Sequence, residues 1–178
     1  MMACRFPFIR DDRGTAAAEM ALVTPVLLTL MFGAFELGNY FLDEHVVTKA
    51  VRDGARYAAR LPVTEYYAGN SCVAGDYAGS KLTAIQNVTR TGSVDGTAPS
   101  RLAYWISTYA TPPSTSITIS VTCKSAATYP GIYTTLIGDV PVVMVKADVK
   151  YRSLFQAVGF NATNIYLHAQ AQSAVIGI

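Results

Sequence analysis

The stretch RDDRGTAAAEMALVTPVLLTLMFGAFELG, residues 10–38, decides the fold of this chain. From Ala16 to Phe35 there are about twenty residues with a single charge, Glu19, and at about 1.5 Å per residue they make a helix roughly 30 Å long. That length matches the hydrocarbon thickness of a bilayer, so the run reads as a membrane span. Glu19 interrupts it about one turn in, directly behind a charged patch that ends in Gly14.

No second run of that length follows; the rest of the 178 residues is polar and rich in Thr, Ser, Gly and Tyr. The chain is therefore expected to be one membrane helix followed by a modest domain. Its net charge is +2, and loss of residues 1–14 would leave +1, since Arg5, Arg10 and Arg13 go together with Asp11 and Asp12. No basic stripe with interleaved aromatics appears, which argues against nucleic acid as a partner.

The 3 cysteines divide around the span: Cys4 precedes it, while Cys72 and Cys123 follow it. Two late cysteines in a Thr/Ser/Tyr-rich domain behind a membrane segment suggest an oxidising compartment and a Cys72–Cys123 disulfide. A loop of about fifty residues would then be closed, for roughly 4 kcal/mol in the chain-entropy view. The alternative is two buried free thiols. Cys4 has no apolar lipobox-like stretch before it, which argues against lipidation there.

Three readings of the N-terminal segment compete. A secretory signal needs an apolar core of about 7–15 residues and a small-residue cleavage site after it. Here the core is too long, and Glu36-Leu37-Gly38-Asn39-Tyr40 offers no such site. A plain signal anchor fits the length but leaves Glu19 and the charged patch unexplained. The third reading places cleavage before the apolar run, between Gly14 and Thr15. Arginines flank both ends of the span, Arg13 being nearest, and the first charges beyond it are the acidic Glu36, Asp43 and Glu44. Together with the cysteines, this favours a cytoplasmic N-terminus.

The residues RG-TAAAE-MALVTPVLLTLMFGAFELG resemble the type IV prepilin-like segment of TadE-like pseudopilins. In that family a Gly precedes the cut, a Glu is the fifth residue of the mature chain, and a long apolar helix follows. VRDGARYAAR, residues 51–60, is similar to the family's stretch after the helix, and the ending KADVKYRSLFQAVGF resembles its strand-plus-aromatic close. The likeness is good over residues 12–60 and loose over 140–178. Met20 departs from the aromatic that more often follows the Glu.

The resemblance gives the odd residues chemical roles. A carboxylate within a membrane helix costs roughly 2.5–3.5 kcal/mol, less near the interface. Cleavage after Gly14 would create an amine on Thr15, and the family analogy pairs the Glu of one subunit with the amine of its neighbour. Glu19 then acts as a register device, because an unpaired ion in an apolar bundle is expensive. The plainer reading is an interfacial carboxylate favoured by the helix dipole. Gly14 would present a peptidase with an uncluttered peptide, or simply break the chain before the helix. Thr15, by resemblance, is an N-methylation site. Pro25 removes a hydrogen bond to the Ala21 carbonyl and is expected to kink or open the helix. Glu36 closes the run at the outer interface.

Helical signals continue from Asp43 to Leu61, with Ala50, Gly54 and Ala58 recurring as a small-residue stripe. That stripe is read first as the seat of the domain's own sheet, and second as an intersubunit surface. Pro62 ends the helix, which from Thr15 would be about 70 Å long. Residues 62–79 look loop-like. Lys81–Arg90 and Pro99–Tyr109 are candidate short helices. Residues 115–123, TSITISVTC, alternate strictly, and further strands are expected over Pro141–Arg152 and Asn164–Val175. Three half-buried strands need a cover, and the striped part of the long helix supplies it. The expected fold is α+β: a long N-terminal helix packed on a small antiparallel sheet, pilin-like. The segments expected are a leader over 1–14, a membrane helix over 15–42, its extracytoplasmic continuation over 43–61, and a head over 62–178.

No catalytic constellation stands out. His45 and His168 lie far apart, without Cys or carboxylate at ligand spacing, and no phosphate loop or nucleophile elbow occurs. No enzyme activity, cofactor, metal or small-molecule substrate is expected. Tyr66, Tyr67, Tyr77, Tyr104, Trp105 and Tyr109 are read mainly as core and loop content, with a contact surface as the alternative. Asn87-Val-Thr and Asn161-Ala-Thr match a glycosylation pattern that carries little weight in a bacterial-looking chain. The resemblance implies a minor pseudopilin of a tight-adherence pilus in the bacterial inner membrane. Its partners would be a prepilin peptidase, other pilins and the inner-membrane assembly platform, and its outcome pilus assembly, attachment and biofilm formation. The rival is an uncleaved, signal-anchored extracytoplasmic binding module.

Overall fold

The computed structural model describes residues 13–105, 117–126, 133, 138–156 and 164–177. Its first element is α1, Arg13–Ala59, and the chain divides into two compact units, Met1–Gly38 and Asn39–Ile178, both of which contain part of α1. In the first unit Leu22, Val23, Val26, Leu27, Leu30 and Phe35 are all exposed. Successive helical residues step about 100° around the axis, so these side chains cover roughly 220° of the helix, and the exposed Ala21, Pro25 and Leu28 fill the remaining side. A helix apolar all round is suited to lipid or to the centre of a large core.

The second unit is built on the remainder of α1. Val47, Ala50, Val51, Ala55 and Ala58 are buried in one cluster with the sheet, while Lys49, Arg52 and Arg56 are exposed. Here the helix has a single apolar face, which marks the change from lipid-compatible to globular patterning. Leu61 N bonds back to Ala58 O at 3.2 Å, and Pro62 then stops the helix. The last carbonyls of α1 find partners elsewhere: Tyr66 Oη donates to Ala58 O at 2.7 Å, and Ile176 N donates to Ala59 O at 2.8 Å. The C-terminal segment is thus stitched to the helix end.

After a 3₁₀ turn over Val63–Tyr66, β1 (Tyr67–Ala68) and β2 (Ser71–Cys72) form a hairpin. Gly69, at φ 66°, occupies the left-handed position that this two-residue turn requires. Next come β3 (Gly75–Asp76) and α2 (Leu82–Thr91), then β4 (Ile117–Ser125), β5 (Asp139–Lys150) and β6 (Tyr166–Ala174). The main sheet is antiparallel in the order β3-β4-β5-β6. Ile117, Ile119 and Val121 share its inner face with Val143, Val145, Ala147, Val149 and Leu167, all buried. Cys72 on β2 is bonded to Cys123 on β4, with Cα atoms 6.0 Å apart.

The architecture is α+β, a long N-terminal helix with small antiparallel sheets. Several local expectations need correction. Residues 62–79 are not simply loop: they hold the hairpin and β3, whose pairing with β4 makes a four-stranded sheet where three strands were expected. Residues 99–105 form bends and a turn rather than a helix. Side-chain anchoring wins there, because Leu102 and Trp105 are buried and Arg101 bridges to Asp53 at 2.8 Å. Residues 106–109, with the rest of that expected helix, lie outside the described residues. So do 115 and 116, the expected start of β4.

The small-residue stripe is also more specific than expected. A Cβ at Gly54 would sit 2.0 Å from Thr89 Oγ1 and 3.2 Å from Thr89 Cβ, so at this position α1 seats α2 rather than the sheet. Thr89 is fully buried and donates to the Ile85 carbonyl at 2.8 Å, which removes its need for any partner on α1. Ala50 and Ala58 join the core shared with the strands.

Candidate processing and assembly segment

Gly14 and Thr15 lie in the first turn of α1, with Glu19 one turn further on. The spacing of four residues puts Thr15 and Glu19 on the same helix face. Both are exposed, and no described residue of the chain forms a hydrogen bond or ion pair with the Glu19 carboxylate. That carboxylate lies near the positive end of the helix dipole, which eases its charge in any environment. Among the described residues nothing approaches within 4 Å of a Cβ built on Gly14.

Pro25 lies inside α1, where it lacks an N–H to donate. Two threonines beside it turn their hydroxyls inward. Thr24 Oγ1 donates to Met20 O at 2.6 Å, and Thr29 Oγ1 donates to Pro25 O at 2.8 Å. Such back-bonding keeps each hydroxyl satisfied within the helix, as a hydrocarbon environment demands. Glu36, at the other end of the apolar run, is partly buried where Glu19 is exposed. The two carboxylates therefore occupy different surroundings.

At the start of the second unit a polar clasp ties α1 to the head. Asn39 Nδ2 donates to the Tyr151 hydroxyl at 3.0 Å, and the Tyr104 hydroxyl donates to Asp43 Oδ2 at 2.6 Å. Tyr40 packs edge-on against Tyr151, with ring centroids 5.3 Å apart. Burial first, and then the hydrogen bond to the Asp43 carboxylate, push the Tyr104 phenol far above its ordinary range. The sequence reading missed this clasp. Its only local signal is the i,i+4 pair Asn39 and Asp43, since the tyrosines lie 112 and 61 residues away.

The remaining candidates fall outside any common site. Tyr66, Tyr77 and Trp105 are core residues, Tyr67 and Tyr104 are partly buried, and Tyr109 lies outside the described residues. His45 is exposed on α1, and His168 on β6 is paired with Asp148 of β5. The carboxyl of Asp148 is raised by burial, but hydrogen bonds from His168 and Lys146 outweigh that and hold it below its usual range. Among the described residues no group of three or more His, Cys, Asp or Glu is placed to hold a metal ion. Asn87 is engaged by a bond from its Nδ2 to Val94 O at 3.2 Å, and Asn161 lies outside the described residues.

Among the described residues α1 is the one helix long and apolar enough to cross a membrane. Residues 14–56 match the family model of TadE-like proteins. The match takes in Gly14, Thr15, Glu19, Pro25, the helical part of the clasp and most of the buried face of α1, and stops before the sheet. No curated protein and no solved structure matches the chain significantly.

Proposed function

We propose that this chain, TadE-like over residues 14–56, is a minor pseudopilin of a tight-adherence pilus. It is made as a precursor with residues 1–14 as a cytoplasmic leader and is cut between Gly14 and Thr15 by a prepilin peptidase. The helix from Thr15 to about Leu42 then holds it in the inner membrane, with the head on the extracytoplasmic side. It joins other pilins and the assembly platform, and so contributes to surface attachment and biofilm formation.

One observation carries this reading. Gly14 and Glu19 stand at the head of a helix whose apolar side chains are exposed on every side, and Glu19 has no partner among the described residues. A solitary carboxylate in such a helix is costly unless something neutralises it. The amine released on Thr15 of a neighbouring subunit is the group that cleavage would supply. The Cys72–Cys123 bond supports an oxidising location for the head.

Sequencing the N-terminus of membrane-extracted protein tests the reading. A mature chain beginning TAAAEM is expected, and Gly14→Leu should leave the precursor uncut. An intact N-terminus in cells that make the pilus would instead favour the uncleaved, signal-anchored binding module.

A further inference from the structure

The second unit begins at Asn39, four residues after Phe35 closes the apolar run, which is about 6 Å of helix. The headgroup layer outside the hydrocarbon of a bilayer is about 5–7 Å deep, so a span that ends at Phe35 puts Asn39 and Tyr40 at the lipid surface. Both residues are fixed to the end of β5. Asn39 Nδ2 donates to the Tyr151 hydroxyl at 3.0 Å, and the Tyr40 and Tyr151 rings pack with centroids 5.3 Å apart. Tyr151 N in turn bonds to Ile165 O at 2.9 Å, and Lys150 pairs with Tyr166. The C-terminal end of β5 and the start of β6 therefore sit level with the first turn of α1 in this unit. The other end of the sheet, where Ile176 N bonds to Ala59 O, lies about 30 Å further along α1.

The end of the sheet beside Asn39 carries exposed apolar side chains: Leu154 is 56% exposed, Ile165 46% and Tyr166 43%. Phe41 and Leu42, on the adjoining turn of α1, are exposed as well. The same end is cationic. Lys150 and Arg152 are exposed, and neither forms an ion pair among the described residues. Two of the carboxylates near them are already engaged, Asp43 by the Tyr104 hydroxyl at 2.6 Å and Asp148 by Lys146 and His168. Glu44, partly buried on α1, is the other acidic group at this level. Aliphatic side chains, a tyrosine and unpaired basic heads together suit the boundary between lipid and water, where rings lie among headgroups and cations reach the phosphates.

We propose that this end of the head rests on the bilayer surface beside the span and binds the headgroups of anionic phospholipid. The inference rests on the membrane span of the function proposed above, and not on cleavage at Gly14. Leu154 and Ile165 enter the boundary layer, Tyr166 lies among the headgroups, and Lys150 and Arg152 meet phosphate oxygens. The contact continues the lipid-facing surface of Phe41 and Leu42 onto the sheet, and it limits how far the head can tilt from the membrane. A chain that leaves the bilayer for a fibre has to give this contact up.

Fluorescent labels on single cysteines test the contact. The full chain with Cys4→Ser, its Cys72–Cys123 bond intact, is reconstituted in vesicles of phosphatidylcholine and phosphatidylglycerol in equal parts. A nitrobenzoxadiazole label on Leu154→Cys or Ile165→Cys should lose fluorescence when a lipid with a nitroxide on its headgroup is included. The same label on Ile176→Cys, a site 53% exposed at the other end of the sheet, should not. Vesicles of phosphatidylcholine alone should give a smaller loss, and Lys150→Glu with Arg152→Glu should remove the gain that phosphatidylglycerol brings. A label on Leu27→Cys, read against a nitroxide deep in the acyl chains, checks the span itself. Labels at 154 and 165 that stay bright while the one at 27 is quenched overturn the proposal and leave the span standing. A bright label at 27 overturns both. Equal loss in the two lipids, or equal loss at 176, overturns the proposal as well. A label at 154 whose emission shifts to the blue yet ignores the lipid nitroxide shows a second protein chain on this surface, and also overturns it.

Discussion

The Tyr104 hydroxyl donates a 2.6 Å hydrogen bond to Asp43 Oδ2, joining a head loop to the helix where the second unit begins. The acceptor is a carboxylate and the donor is partly buried, so the bond belongs to the charge-assisted class. Tyr104→Phe should destabilise the head by about 1.5–3 kcal/mol, read as a lower denaturation midpoint of the full chain in detergent. Asp43→Asn should cost less, because the amide oxygen still accepts. If Tyr104→Phe and Tyr151→Phe cost no more together than the larger single change, the clasp acts as one unit.

The same clasp gives the head an alkaline limit. Tyr104 and Tyr66 are both pushed upward, by burial first; Asp43 then adds to the shift of Tyr104, and Tyr77 and Glu65 to that of Tyr66. A phenol whose folded pKa exceeds its unfolded value of about 10 contributes stability that is complete below pH 10 and is lost above it. Unfolding midpoints should therefore be flat from about pH 7 to 9 and fall steeply beyond 10. Tyr104→Phe should flatten that fall. A variant with the same alkaline slope as the wild type would show that Tyr104 does not titrate on unfolding.

How much of this was legible in the sequence depends on the range of the cause. β4 and β5 announce themselves, because ITISV and VVMVKADV alternate every second residue and each strand is long enough to show it. β3 has two residues and no period, so only its pairing with Ser120 and Val121 reveals it. The Ala50-Gly54-Ala58 spacing predicts close approach but does not name what approaches. That Thr89 fills the place at Gly54 depends on how α2 docks, which no local pattern encodes. Gly14 and Glu19 were visible because a charge in an apolar run needs no partner to be noticed. The clasp was not, because an Asn, an Asp and two Tyr are ordinary residues until the fold assembles them.

Gly54 gives a direct test of that docking. Gly54→Ala puts its Cβ 2.0 Å from Thr89 Oγ1, so the fully buried Thr89 or one of the two helices must shift. Overpacking of this kind costs about 1–3 kcal/mol. Removing the hydroxyl with Thr89→Ala leaves the new methyl facing a Cβ at 3.2 Å, so the double variant should recover most of the loss. Equal instability of the single and double variants would mean that the stripe is held for another reason.

The Cys72–Cys123 bond closes a separation of 51 residues and ties the hairpin to the central part of the sheet. In the chain-entropy view, Cys72→Ser with Cys123→Ser should lower stability by about 4 kcal/mol. Reductant should lower the thermal midpoint of the wild type by the same amount as the double substitution, and should not affect the variant. A single Cys→Ser change should do no less, since it also leaves a lone thiol.

The last test concerns Glu19 itself. If its role is to meet the Thr15 amine of a neighbour, Glu19→Ala leaves a chain that inserts more readily than the wild type, because the cost of a carboxylate in hydrocarbon is removed. It should still be cut after Gly14 and still hold a folded head, whose core lies within residues 39–178. Assembly should fail, because the amine would then be the unpaired ion. Glu19→Gln separates charge from shape: it keeps the size and a hydrogen-bond acceptor, so partial assembly shows that geometry matters, and failure equal to alanine shows that charge does. Counting pili on cells that carry each variant reads the outcome. Full piliation with Glu19→Ala would remove the pairing role while leaving processing at Gly14 untouched.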